Sequence, residues 1–174
     1  MTTRIHGIGS SEHLDSSGER ISIAGMDISS LTRDGVFSWE HEGGENGAKT
    51  PSQIVGKILE AKKIFSEEDC ENTYHLMFWK RCLRPFLYVA GELFDEEGHV
   101  GASEIAAILK YDAKNKDRFE KQMINFSIEG AKLKKEGVDI PKSVARKVTV
   151  TIHPCNKAAE AGLMPEGKPE EEFK

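Results

Sequence analysis

Across residues 145–152 the apolar side chains Val148, Val150 and Ile152 alternate with Lys147, Thr149 and Thr151. A period of two is that of a strand with one face toward a core and the other toward polar surroundings. The same pattern recurs at 20–26, and strand-like apolar runs occupy 86–94 and 123–131, with a short one at 35–39. Residues 53–65 fit either element, and their flanks and Gly56 favour a strand. Helical spacing is confined to a few places. Ser66-Glu67-Glu68-Asp69 reads as a helix start with acids in the first turn. It puts Tyr74, Met77, Phe78 and Cys82 on one face before Pro85 stops the helix. Ser103 reads as the cap of a second helix whose face carries Ile105, Ala106, Ile108 and Leu109. A more charged helical stretch runs around 117–122. Five or six strands and two or three helices that do not alternate exclude repeated βαβ units. The expectation is an α+β fold, a mostly antiparallel β-barrel core with helices packed outside.

The rest of the chain reads as connection. Residues 1–19 are polar and Gly/Ser-rich, with a turn at 16–18, and residues 43–51 form a Gly-rich loop. Residues 165–174 read as a mobile acidic tail. One domain over 1–160 followed by a tail over 161–174 suits a chain of 174 residues. Against 24 Lys and Arg stand 29 Asp and Glu, a net charge of -5. Without a basic stripe, neither nucleic acid nor an anionic membrane is an expected partner. No apolar run approaches the roughly 20 residues that span a bilayer, and the first residues lack a secretory signal. Three cysteines at wide spacing, without a C-x-x-C, suit a reducing compartment and encode neither a disulfide framework nor a zinc site. No cofactor and no metal are expected, since the six histidines are scattered and H-E-x-x-H is missing.

Two residues combine reactive chemistry with the edge of a strand. His41 follows the 35–39 run and precedes a Gly-rich loop, so an imidazole there joins a rigid element to solvent, as a general base requires. Ser127 lies between Phe126 and Ile128 and precedes Glu129-Gly130, a small hydroxyl beside a place where a second backbone can approach. A serine alone is a poor nucleophile and needs a base within about 3 Å. No G-x-S-x-G elbow is present, so an α/β-hydrolase arrangement is not indicated. From the residues alone, neither position is assigned a role.

The order of blocks resembles the prohead, or capsid-maturation, proteases of tailed bacteriophages, which share a fold with the herpesvirus assemblin proteases. The first block joins Asp15-Ser16-Ser17-Gly18-Glu19-Arg20-Ile21, Gly25-Met26-Asp27-Ile28-Ser29 and Trp39-Glu40-His41-Glu42. It is similar to that family's opening strand and W-x-H-type histidine. The second pairs Leu87-Tyr88-Val89-Ala90-Gly91-Glu92-Leu93 with Phe126-Ser127-Ile128-Glu129-Gly130, similar to an L-x-V-x-G-x-L strand and a G-L-S-I-G-F serine strand. The third, Val148-Thr149-Val150-Thr151-Ile152-His153-Pro154-Cys155-Asn156, is similar to a closing V-S-L-V-T-x-P-A-N strand. Together they cover about residues 15–160.

The resemblance implies a hydrolase, a serine endopeptidase in which Ser127 is the nucleophile, His41 the general base and backbone N–H groups hold the oxyanion. It implies His153 as the third member, with Asp27 and Asp95 as substitutes, because Lys147 stands where many phage relatives carry an acid. Its substrates would be scaffold and major capsid proteins, cleaved inside the assembling prohead in the host cytoplasm by a homo-oligomer. The runner-up is a non-catalytic structural or scaffold-associated capsid-assembly domain of the same fold. The helix after Glu67 reads as an insertion, and Met164-Pro165-Glu166-Gly167 resembles the aliphatic-x-Glu sites such proteases cut, so self-processing is expected there. Mass spectrometry should find a shorter C-terminus in the natural protein than in Ser127→Ala; identical C-termini remove self-processing.

Overall fold

The protein is described by a computed structural model over residues 2–40, 51–118 and 122–165. Its elements run β1 (Arg4–Ser11), β2 (Arg20–Ile21), β3 (Met26–Asp27), α1 (Ser29–Asp34), β4 (Val36–Trp39), β5 (Ile54–Ile64), α2 (Thr73–Cys82), β6 (Phe86–Leu93), α3 (Val100–Asn115), β7 (Asn125–Glu136), β8 (Asp139–Thr151) and β9 (Glu160–Leu163). The alternation at 145–152 belongs to the longest strand, the 13-residue β8. β7 pairs antiparallel along one edge of β8, through a tight turn in which Gly137 takes a left-handed φ of 62°. The other edge takes three short pieces in succession, all parallel: β2 beside Asp139, β3 beside Ser143 and β4 beside Val148.

From β4 the sheet continues antiparallel through β5, β6, β1 and β9. The fold is thus mixed α+β around one large sheet, with antiparallel ladders in the majority, as expected. The expected barrel is corrected: among the described residues the sheet stays open. β9 occupies the outer edge of β1 over Ile5–Ile8, the positions that closure would need. β7 comes near β1 without pairing with it, Ile128 Cδ1 lying 3.1 Å from where a Cβ on Gly9 would stand.

Each face of the sheet carries a helix. On one, Phe37, Val55, Val89, Leu93, Phe126, Val148 and Val150 pack with Ile105, Ala106 and Leu109 of α3. On the other, Ile8, Ile64, Phe86 and Tyr88 pack with Phe78 and Cys82 of α2, while Tyr74 and Met77 are partly buried against them. The expected apolar faces of both helices therefore meet the core, but both starts move. The acids at 67–69 close a separate 3₁₀ turn, with Asp69 accepting from the Phe65 and Ser66 N–H groups. Asn72 then caps α2 by accepting from Tyr74 and His75 N–H. His99 Nδ1 caps α3 at Ala102, four residues before Ser103.

Two strands replace expected connections. β1 lies within the segment read as polar, and β9 within the segment read as leading into the tail, so the boundary at 161 falls inside a strand. Residues 116–118 form a turn, while the rest of the charged stretch at 119–121, the loop at 43–50 and the tail from 166 lie outside the described residues.

Under α2 lies a buried polar network. Glu71 N–H donates to His75 Nδ1 at 3.2 Å, so the ring's Nε2 carries the proton and donates to Glu60 Oε1 at 2.8 Å. Tyr88 meets the rings of His75 and His6, and its hydroxyl lies 2.9 Å from His6 Nδ1. Burial, then the nearby charge of Arg81, push His6 down to about 4. A histidine neutral in the fold but near 6.5 when unfolded costs stability as pH falls from 6.5 toward 4, and contributes no slope above 6.5. Between pH 7 and pH 4.5 the His6 contribution is a loss of about 2 to 3 kcal/mol. Urea unfolding at the two pH values should show His6→Gln with a correspondingly smaller loss than the natural protein; equal losses refute the assignment.

Candidate active site

The polar half of the β8 alternation builds the site. Thr149 stands on one rung with Ser38 of β4 and Ser127 of β7, on either side of it. The neighbours of Ser127 along β7, Phe126 and Ile128, turn to the α3 side, where Phe126 stacks on Phe37. Ser127 therefore faces the opposite side, together with Asn125 and Glu129. Glu40 continues from β4 at the next rung: its backbone N–H donates to Val150 O at 2.9 Å.

Hydroxyl protons order this face. Thr149 Oγ1 donates to Glu129 Oε2 at 2.9 Å, which uses its single proton; Ser38 Oγ, 3.4 Å from Thr149 Oγ1, is then the donor of that pair. Lys147 Nζ lies 3.6 Å from Glu129 Oε1. Thr151 Oγ1 donates to Glu40 Oε2 at 2.7 Å and accepts from His153 N–H at 3.0 Å, while Ile152 N–H donates to Glu40 Oε1 at 3.3 Å. Ser38, Thr149 and Thr151 are fully buried, and such groups persist in an interior only when hydrogen-bonded.

Gly130, next to Glu129, permits the close β7–β8 approach: a Cβ there would stand 1.7 Å from Val144 O. A cavity of about 640 Å³ opens at the start of β7, lined by Asn125, Gln122, His13, Lys116 and Lys157 among others.

Of the residues expected from sequence, Ser127 sits at the centre of this face and is 6% exposed. His41, one residue after Glu40, lies outside the described residues. His153 is exposed, two residues past the end of β8. Asp27 pairs with Val144, five residues along β8 from Thr149 and so roughly 16 Å away. Its carboxylate accepts from Ser29 N–H at 2.9 Å, and the backbone and side-chain bonds from Ser29 hold it below the usual range. Asp95, beyond β6, is taken up by Thr3 N–H and hydroxyl at 3.0 and 2.6 Å.

Sequence reasoning missed the Glu129–Thr149–Ser38 network and, beside it, the tie of Glu40 to Thr151. The alternation at 147–151 marks the face, but only the register says which side chains of β4 and β7 share it. A separate hydroxyl–imidazole contact joins Ser11 Oγ to His13 Nδ1 at 2.7 Å. Asn156 holds that fully buried hydroxyl from behind, with Oδ1 and Nδ2 at 3.2 and 3.0 Å, so the pair anchors the end of β1 to the chain after β8.

Among the described residues no group of three or more His, Cys, Asp or Glu side chains is placed to hold a metal ion. No helix described is long and apolar enough to cross a membrane. Comparison with protein-family models, curated proteins and solved structures found no match.

Replacing Thr149 by the near-isosteric valine removes the donor to Glu129 and the acceptor for Ser38. Urea unfolding should show Thr149→Val less stable by about 1–3 kcal/mol, the cost of a buried group left without its partner. An unchanged midpoint would remove the network from the stability of the sheet.

Proposed function

We propose that the chain is a serine endopeptidase of the phage prohead type, acting on scaffold and major capsid proteins. One observation supports this reading above the rest. The strand that leads into His41 and the strand that carries Ser127 flank the same short stretch of β8. Glu40 is tied to Thr151 and Ile152 there, so the chain enters His41 from a fixed point about two strand spacings, or roughly 10 Å, from the β7 backbone. Glu40 and Ser127, far apart in sequence, thus lie against the same end of β8, which supports a nucleophile and a base meeting there.

In this reading Ser127 Oγ attacks the scissile carbonyl carbon while His41 takes the hydroxyl proton. The tetrahedral oxyanion is held by backbone N–H groups near Ile128 or Gly130. The C–N bond then breaks as the imidazolium returns its proton to the leaving amine, and water, deprotonated by the same ring, releases the acyl group from Ser127. The third place belongs to His153 by the resemblance.

A non-catalytic capsid-assembly domain of the same fold is the second reading. The observation in its favour is the low exposure of Ser127, since a peptide bond must reach the hydroxyl. Incubation with the scaffold and capsid proteins separates the two. The natural protein should cleave them, and Ser127→Ala should slow cleavage by at least about 10³-fold. Cleavage at full rate by the alanine variant removes Ser127 from the reaction, and no cleavage by either protein favours the assembly domain.

A further inference from the structure

Because the sheet stays open, a space remains between its ends. The cavity of about 640 Å³ lies there, between the start of β7 at one end and β1 and β9 at the other, with the last turns of α2 and α3 in its lining. Sites for small molecules occupy roughly 300 to 1,000 Å³ and combine apolar wall with a few placed polar groups. Ile8, Cys82, Ala158 and Ala159 supply the apolar wall here. Among the described residues, Arg81, Lys116 and Lys157 line the cavity beside two acids, Asp112 and Glu160. In a chain of net charge -5 this is a local surplus of positive charge.

Both acids are engaged. Glu160 Oε1 accepts from Arg81 Nη1 at 2.7 Å, so that pair is neutral. Asp112 is buried and accepts from Met123 N–H at 2.9 Å, which fixes the entry to β7. Lys116, one helical turn on at the end of α3, balances the Asp112 charge. Lys157 is left over, an exposed ammonium without an ion-pair partner among the described residues.

His13 adds a directed donor. Asn156 Oδ1 accepts from Ala158 N–H at 3.0 Å, which turns Nδ2 to Ser11 Oγ, also at 3.0 Å. The single Ser11 proton goes to its shorter contact, His13 Nδ1 at 2.7 Å, rather than to Asn156 Oδ1 at 3.2 Å. With Nδ1 accepting, the proton of the neutral ring sits on Nε2, which has no partner among the described residues. Burial, then the charge of Arg84, lowers the His13 pKa, so the ring is neutral at pH 7.

We infer that this cavity binds a small organic monocarboxylate, its apolar body against Ile8, Cys82 and Ala159 and its carboxylate between Lys157 and His13 Nε2–H. One surplus charge suits one carboxylate better than a phosphate dianion, and the apolar wall offers a fully hydrated ion nothing. None of these side chains takes part in the chemistry proposed for Ser127, so the site stands whether or not the chain is a peptidase.

The test is titration of the full chain, followed by amide chemical shifts, with benzoate, the uncharged benzamide, acetate and inorganic phosphate. Benzoate should bind with a Kd of about 1 mM or tighter. Its shifts should centre on Asn125, Ala158 and Ala159 rather than on the outer β7–β8 hairpin. Benzamide lacks the charge and acetate the apolar body, so each should bind at least about tenfold more weakly, as should phosphate. Lys157→Gln should weaken benzoate by at least about fivefold, Lys116→Gln by less, and Lys134→Gln on the exposed hairpin by under about twofold. The dispersion of each amide spectrum reports the fold of these variants, whose substituted side chains are all exposed. No approach to saturation at about 20 mM benzoate, shifts confined to places outside the cavity, or natural affinity in Lys157→Gln overturns the site. Benzamide, acetate or phosphate binding as tightly as benzoate overturns the carboxylate assignment.

Discussion

Pairing along both edges of β8 is the constraint from which the rest of the architecture follows. A strand this long leaves a row of N–H and C=O groups on each side, and burial of its rungs at 148–151 makes any unpaired group there costly. β7 answers one side with a long ladder that shifts register at three places, while β2, β3 and β4 divide the other. Because those three run parallel to β8, their order along it is their order in the chain. The segment that ends in Trp39 must therefore arrive at the Thr151 end, where β7 begins.

That arrangement gives the sheet two kinds of surface. The α3 side is continuous and apolar, built from every second residue of β4, β6, β7 and β8. The other side is divided. Over β1, β5 and β6 it is closed by α2, with the Tyr88–His6 contact buried beneath the helix and His75 reaching from it to the partly exposed Glu60. Over β4, β8 and β7 it is hydroxyl and carboxylate, ordered by donors that each have a single proton to give. Hydroxyl-bearing side chains keep strand geometry while supplying these bonds, so β-structure and polar chemistry coexist on the same residues.

Strands whose side chains alternate or are wholly apolar, such as β6 and β8, were legible because burial and sequence agree in them. β1 was not, although all but one of its residues are buried. Its glycines look like a loop, but a Cβ on Gly7 would stand 1.9 Å from Glu160 O, so the residue is small because β9 presses against it. Two of its polar members are satisfied by residues remote in sequence, His6 by Tyr88 and Ser11 by Asn156. The outer part of the β7–β8 hairpin, with Lys132, Lys134, Lys135 and Glu136 exposed, carries no apolar face to read. At the site, Ser127 and His41 were singled out by local context and by resemblance. Glu129 looked like an ordinary strand acid, since its meaning depends on which rung faces Thr149, and register is not written in either strand alone.

The tandem docking of β2, β3 and β4 on β8 has a consequence for how the chain is made. β2, β3 and one edge of β4 find their hydrogen-bond partners more than a hundred positions downstream, and β1, paired on one edge with β6, waits longer still for β9 on the other. During synthesis β4, β5, β6 and β1 can pair with one another early, but β2, β3 and the free edge of β4 stay unpaired until β8 is made. High contact order of this kind slows acquisition of the native state and prolongs exposure of sticky intermediates, so the nascent protein depends on chaperones or dilution far more than the finished one does.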